Sequence, residues 1–291
     1  MKVLLSVSLM RAYGTLMRPH QWLKNLMLFF PPFLGGTLLR PMMLRPGVLI
    51  PFAAFCLASS ATYVLNDILD STNDSNHPVK SRRPIPSGAV SAPIAAGTCG
   101  ALAGMAIVLA WSVSPAFLVY LLAYLAVSSA YSIRLKDLPI IDIFCISAGF
   151  VLRLMAGGAA FGVRVSEWLF LSVFLLSLFL STGKRLSEKQ ELGEGAGQHR
   201  KVLDGYPDGF LEKVMLMTGS SVLVTYSMYV ISRHSELLLY SIPLCCFGLF
   251  RYVLRIARGG GGDPTESLLR DIPLCITGLV WAVLVGWGIY G

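Results

Sequence analysis

The sequence predicts an all-α polytopic membrane protein with nine transmembrane helices, and three observations carry that prediction. Of its 291 residues, 55% are hydrophobic and only 14% are charged, too apolar a mixture for a soluble globular chain. Apolar runs of roughly 18 to 23 residues, the length that crosses a bilayer, recur from one end to the other. The basic residues gather in alternate loops between those runs, which is how a membrane protein marks its inner face. The net charge of +8 therefore reports topology, and no nucleic-acid partner is expected.

Residues 1–20 read as a cytoplasmic N-terminal arm and 21–291 as one transmembrane domain. The opening run Lys2 to Met10 imitates a signal peptide, but it is short, meets Arg11 and lacks a small-residue cleavage site. Helix one is expected from about Gln21 to Leu34, with Trp22 at the interface. Helix two follows from about Val48 to Leu69, helix three from Val90 to Val113, and helix four from Ala116 to Ile133. Helix five is expected from Ile140 to Phe161 and helix six from Trp168 to Thr182. The longest polar break, Gly183 to Phe210, precedes helix seven, from Leu211 to Ile231. Helix eight is expected from Leu237 to Val253, and helix nine follows the Gly-rich stretch Arg258 to Asp271. With the N-terminus inside, nineteen of the 24 Lys and Arg fall in inner segments. Only Arg40, Arg45, Arg164 and Arg233 fall outside, and Arg153 lies within helix five. This places the chain in the cytoplasmic membrane, multi-pass, with its polar chemistry on the cytoplasmic side. The six cysteines all lie in apolar segments without a C-x-x-C pair, and they read as small buried hydrophobes.

The polar chemistry centres on the end of helix two. Asp67, Asp70 and Asp74 recur at offsets that return to one helix face, spanning roughly 10 Å along its axis. Carboxylates at a bilayer edge call for a cation, and Mg²⁺ suits oxygen ligands that must also meet substrate phosphates. Asn66 precedes them, and Lys80, Arg82 and Arg83 follow in the same loop. A second centre, Lys184, Arg185 and Glu188, follows helix six; the two cations read as anion holders or as interfacial anchors. Arg153, deep in helix five and on one face with Asp142, should face the bundle interior. It would meet a phosphate oxygen, a buried acid or a backbone carbonyl. Lys24 and Asn25 are candidates for the same pocket, with a snorkelling Lys24 as the alternative. No histidines show metal-ligand spacing, and Gly259 to Gly262 lacks the Lys and Ser/Thr of a phosphate loop.

The stretch Asn66-Asp67-x-x-Asp70-x-x-x-Asp74, followed by Arg83-Pro84-Ile85-Pro86-Ser87-Gly88, resembles the first Asp-rich motif of the UbiA-type membrane prenyltransferase superfamily. That resemblance implies a UbiA-like bundle with a polar cavity facing the cytoplasm, and Mg²⁺ held by Asp67, Asp70 and Asp74. Enzymes of the superfamily that use a prenyl diphosphate usually carry a second Asp-rich motif after helix six. Here Lys184, Arg185 and Glu188 stand in its place. The chain is similar in this respect to the branch whose donor is phosphoribosyl diphosphate and whose acceptor is a polyprenyl (decaprenyl-type) phosphate. Arg18 to Asn25, Gly149 to Arg153 and Asp263 to Asp271 fit the same branch. The resemblance implies substrate contacts from Lys24, Asn66, Lys80, Arg82, Arg83, Arg153, Lys184, Arg185 and Glu188. It also implies a product that is a precursor of an arabinose donor for cell-wall polysaccharide. Two rivals stand beside it: a prenyltransferase acting on an aromatic acceptor, and a non-enzymatic anion transporter. The oligomeric state stays open, a homo-oligomer included.

Overall fold

A computed structural model describes residues 12–44, 46–75, 80–193 and 200–291. The described residues are helical, with no strand among them. Among the described residues, eight helices are long and apolar enough to cross a membrane. We label them α1 (Leu49–Leu69), α2 (Ala92–Val113), α3 (Pro115–Ile133), α4 (Ile141–Phe161), α5 (Glu167–Leu192), α6 (Phe210–Ile231), α7 (Glu236–Ala257) and α8 (Ile272–Tyr290).

The first expected helix is built differently from the other eight. It is a 3₁₀ helix over Pro19–Phe29, continued by one α-turn pair over Phe30–Leu34. This segment lies against α1 and α4. Gly157 of α4 permits the approach, since a Cβ there would run into the Leu28 backbone carbonyl. The expected N-terminal arm falls partly on residues 1–11, outside the described residues. Its described part is docked on the bundle: Leu16 is fully buried, and the Ser60 hydroxyl donates to the Met17 carbonyl.

Helix six of the sequence reading needs correction. It does not stop near Thr182 but continues as α5 to Leu192. Lys184, Arg185 and Glu188 are therefore helical residues, not loop residues. Apolar character ends near Thr182, and hydropathy alone marks that end; the charges beyond it are paired inside the bundle, so the helix continues.

Helices α1 and α2 pair closely, as do α3 with α4 and α5 with α6, while α7 and α8 pair at the other flank. Large apolar side chains such as Trp111 and Trp287 stand outward on α2 and α8. In a bilayer that surface meets lipid tails, so close packing between helices, more than burial from water, holds the bundle together. The Phe55, Phe117 and Tyr124 rings supply such packing between α1 and α3. Between them the first segment, α1, α3, α4 and α5 enclose a cavity of about 760 Å³.

Candidate active site

The end of α1 brings the three expected aspartates to this cavity. Asp70 N–H donates to the Asn66 carbonyl and Asp74 N–H to the Asp70 carbonyl. The helical ladder thus runs through the break at Asp70 into the short helix Ser71–Ser75, and the shared face survives. Asp67 is buried and receives Arg18 Nη2 at 2.5 Å and Arg83 Nη1 at 3.2 Å. The same Arg83 nitrogen lies 2.6 Å from Asp74 Oδ2. Asp70 accepts from Lys136 Nζ and, at 3.0 Å, from Asn66 Nδ2. Lys80 Nζ stands 4.0 Å from Asp74. Burial holds the Lys80 ammonium below its ordinary pKa against the pull of Asp74.

Among the described residues, no three acidic, His or Cys side chains are gathered tightly enough to hold a metal. The donors themselves suit a hard cation, because all are carboxylate oxygens. One cationic nitrogen, Arg83 Nη1, already sits between Asp67 and Asp74. A small divalent ion would meet the same two carboxylates.

A second group lies across the cavity on α5. Arg185 is 1% exposed; its Nε donates to Asp142 Oδ2 at 2.5 Å and its Nη1 to Glu188 Oε2 at 2.7 Å. Its Nη2 donates to the Tyr131 hydroxyl at 3.1 Å. Tyr206 donates to the other Asp142 oxygen. Arg200 joins the group, with Nη1 at 3.5 Å from Glu188 and Nη2 donating to Tyr131 at 2.7 Å. Two acids and two guanidiniums leave this group without net charge. Arg185 touches the cavity with each of its three nitrogens already bonded within the chain.

The third group is cationic. Lys184 Nζ donates to Asp263 Oδ2 at 3.2 Å, and Lys24 Nζ stands 4.0 Å from the same oxygen. Asp263 also caps the helix Pro264–Arg270, accepting from the Thr265 and Glu266 amides. Burial raises the Asp263 carboxyl, but Lys24 and Lys184 outweigh it and hold the group below the usual carboxylate range. Close by, Arg153 is 5% exposed and meets no carboxylate among the described residues. Its Nε donates to Asn25 Oδ1, its Nη1 to the Gly149 carbonyl and its Nη2 to Tyr124, all within 3.0 Å. The guanidinium also lies over the Tyr124 ring, 4.4 Å from its centre. Of the three partners weighed for Arg153, the structure supplies the backbone carbonyl and no acid.

The cavity wall carries ten Lys and Arg but five Asp and Glu. A desolvated wall with that surplus is built for an anion. Of the expected site residues, Lys24, Asn66, Asp70, Asp74, Lys80, Arg83, Arg153, Lys184, Arg185 and Glu188 line it. Asp67 sits just behind, reached through Arg18 and Arg83. Arg82 is exposed and outside the lining. The sequence reading assigned no role to Lys136, Tyr131 or Arg200, and it weighed Asp142 without finding its partner. Arg18 and Asp263 stood inside stretches that carried the family resemblance, and that was the signal for them.

Comparison with known proteins points one way. The model of the UbiA prenyltransferase family matches residues 28–270. A decaprenyl-phosphate phosphoribosyltransferase of Mycolicibacterium smegmatis is 32% identical, over 94% of this chain and 91% of its own. The protein of that name from Corynebacterium glutamicum is also 32% identical, over 94% of this chain and 85% of its own. In structure, the chain is similar to a UbiA homolog from Archaeoglobus fulgidus bound to DMAPP and Mg²⁺. The TM-score is 0.73 at 20% identity, covering 95% of this chain and 97% of the other. At that identity the likeness speaks for the fold alone.

Proposed function

This chain belongs to the UbiA prenyltransferase family, and from that premise we propose that it transfers 5-phosphoribose from phosphoribosyl diphosphate to a polyprenyl phosphate. The observation that carries the reading is the cavity's surplus of cations, which fall into two groups by their partners: Arg18, Arg83 and Lys136 on the aspartates of α1, and Lys24 and Lys184 on Asp263, with Arg153 on no carboxylate among the described residues. A diphosphate donor and a phosphate acceptor present two anionic groups, and each needs its own cations. The relatives that match over most of the chain carry the name of that activity.

The bond from the ribose anomeric carbon to the pyrophosphate oxygen breaks, and pyrophosphate leaves with the electron pair. A lipid phosphate oxygen forms the new bond to that carbon. The acceptor is largely ionised near neutral pH, since a phosphate monoester has its second pKa near 6. No strong base is required. Lys24, Lys184 and Arg153 would hold the acceptor phosphate. Arg18, Arg83, Lys80 and Lys136 would surround the pyrophosphate beside Asp67, Asp70 and Asp74. Those three aspartates are the residues that would hold Mg²⁺, whose charge makes pyrophosphate a better leaving group. Arg185 fixes the wall through Asp142 and Glu188, and we assign it a positioning part with cavity contact.

We read the first segment as a ninth span. Eleven 3₁₀ residues and five α residues, at about 2.0 and 1.5 Å each, climb roughly 30 Å, the thickness of the hydrocarbon core. The distribution of basic residues supports a cavity facing the cytoplasm, in the cytoplasmic membrane. The decisive experiment offers purified protein both donor–acceptor pairs. Phosphoribosyl diphosphate with polyprenyl phosphate should give a ribosylated lipid, and polyprenyl diphosphate with an aromatic acid should give nothing. Prenylated aromatic product without ribosylated lipid would overturn the reading.

A further inference from the structure

The two carboxylate oxygens of Asp263 face different partners. Oδ1 accepts the Thr265 and Glu266 amides at 3.1 and 3.2 Å and so caps the helix Pro264–Arg270. Oδ2 meets Lys184 Nζ at 3.2 Å and Lys24 Nζ at 4.0 Å. The cap needs no charge, because serine and asparagine cap as well as aspartate. The charge bears on the lysines alone. A negative group thus stands among the cations of a cavity built for anions.

That group is held in place by its backbone. Gly262, the residue before it, lies so close to α5 that a Cβ would meet the Gly183 carbonyl oxygen and the Lys184 Cα at 2.8 Å. Tyr252 of α7 donates to the Gly262 carbonyl at 2.7 Å, and Ser267 donates to the Gly261 carbonyl at 3.0 Å. Asp263 is therefore a fixed charge, whereas Lys24 and Lys184 are flexible four-carbon stems. Burial opposes its ionisation, but the two lysines hold its carboxyl below the usual range, so it is charged near neutral pH.

The charges balance for one kind of ligand. Lys24, Lys184 and Arg153, whose charge acts on Lys24, bring three positive charges, and Asp263 cancels one. The Arg185 group across the cavity adds none. A phosphate monoester brings about two negative charges near neutral pH, which match the two that remain. A lipid diphosphate brings about one more, and that charge would meet Asp263 without a counter-ion. A site separates two similar ligands by matching one and leaving the other unpaired.

We propose that Asp263 is a specificity-determining residue, lowering the charge around Lys24, Lys184 and Arg153 so that they take a lipid monophosphate and reject a lipid diphosphate. The assignment rests on the reaction proposed above, in which these cations hold the acceptor phosphate. Asp263→Asn and Asp263→Ser each keep a helix cap and remove the charge. Binding of polyprenyl phosphate and of polyprenyl diphosphate of equal chain length is measured with divalent metal chelated, so that the aspartates of α1 hold no Mg²⁺. Wild type should prefer the monophosphate. Both variants should narrow that preference by about 10-fold or more, the effect of one unit charge at close range in a partly buried site. If Asp263 only capped its helix or steadied the lysines, the variants would weaken both lipids together and leave their ratio unchanged. That result, or a wild type that prefers the diphosphate, would overturn the assignment. Turnover is read separately. Wild-type protein that makes no ribosylated lipid overturns the reaction, while the ratio of the two dissociation constants still decides the part of Asp263.

Discussion

Arg185 Nε lies 2.5 Å from Asp142 Oδ2, a contact between α5 and α4 in which the two side chains are 1% and 0% exposed. Making such a pair is costly, because both ions leave water. Breaking it is costlier, because one ion stays behind without a partner. Arg185→Met should therefore destabilise the protein by about 3–5 kcal/mol, and adding Asp142→Asn should recover much of that loss. Thermal unfolding in detergent measures both. A single variant with wild-type stability and only a weaker KM would return Arg185 to direct phosphate binding.

Asp70 behaves in the opposite way. Its carboxylate is 25% exposed and faces Lys136, itself at the cavity edge. A pair so placed contributes at most about 1 kcal/mol. Asp70→Asn should leave the melting temperature near wild type while turnover falls roughly 100-fold, the size of a charge stabilisation of a few kcal/mol. In the wild type, a chelator should abolish turnover and added Mg²⁺ should restore it. Normal turnover by Asp70→Asn would mean that Asp70 is a solvated helix end.

The spacing of Asp67, Asp70 and Asp74 was legible because it is local: i, i+3 and i+7 share a face wherever the helix goes. Arg153 was legible as interior because a charge in an apolar run has nowhere else to turn. The Asp142–Arg185 contact joins residues 43 positions apart. Which face of α4 meets which face of α5 is decided by packing, and no periodicity in either segment states it. Asp263 reaches Lys184 from a loop 79 residues later, so the second cation pair looked unopposed in sequence. The 3₁₀ winding of Pro19–Phe29 escaped for a similar reason. Hydropathy gives the length of an apolar run and says nothing about its rise per residue.

At the start of α8, Asp271 caps the helix by accepting the Leu274 amide, and Arg251 Nε donates to its two oxygens at 3.0 and 3.2 Å. The Arg251 hydrogen bond, with the Leu274 amide and the nearby Arg255, holds the carboxyl below its ordinary value. A depressed pKa means that the unfolded chain binds the proton more readily. The stability it contributes is therefore complete above the unfolded value of about 3.9. It is lost as pH falls from there through the folded value. Asp271→Asn keeps a good helix cap and removes the charge. The gap in melting temperature between wild type and this variant should be constant near neutrality and close at acid pH. A gap that widens toward acid would reverse the sign and refute the pairing.

Arg153 separates stability from function most sharply. Its charge is out of solvent, yet its partners are a carbonyl, an amide and a phenol, none of which bears a negative charge. Desolvating such an ion costs several kcal/mol, and neutral hydrogen bonds return only part of it. Replacing a buried ion by an apolar side chain of similar length is often neutral or stabilising. Arg153→Met should therefore melt no lower than wild type by more than a few degrees, in contrast to Arg185→Met. Its turnover should nevertheless collapse, because the acceptor phosphate loses one of the three cations, Lys24, Lys184 and Arg153, proposed to hold it. The KM for polyprenyl phosphate should rise by 10-fold or more, at about 1.4 kcal/mol per tenfold, and the KM for phosphoribosyl diphosphate should change less. A stable variant with full turnover would make Arg153 a packing residue. An unfolded one would make it, like Arg185, part of the frame.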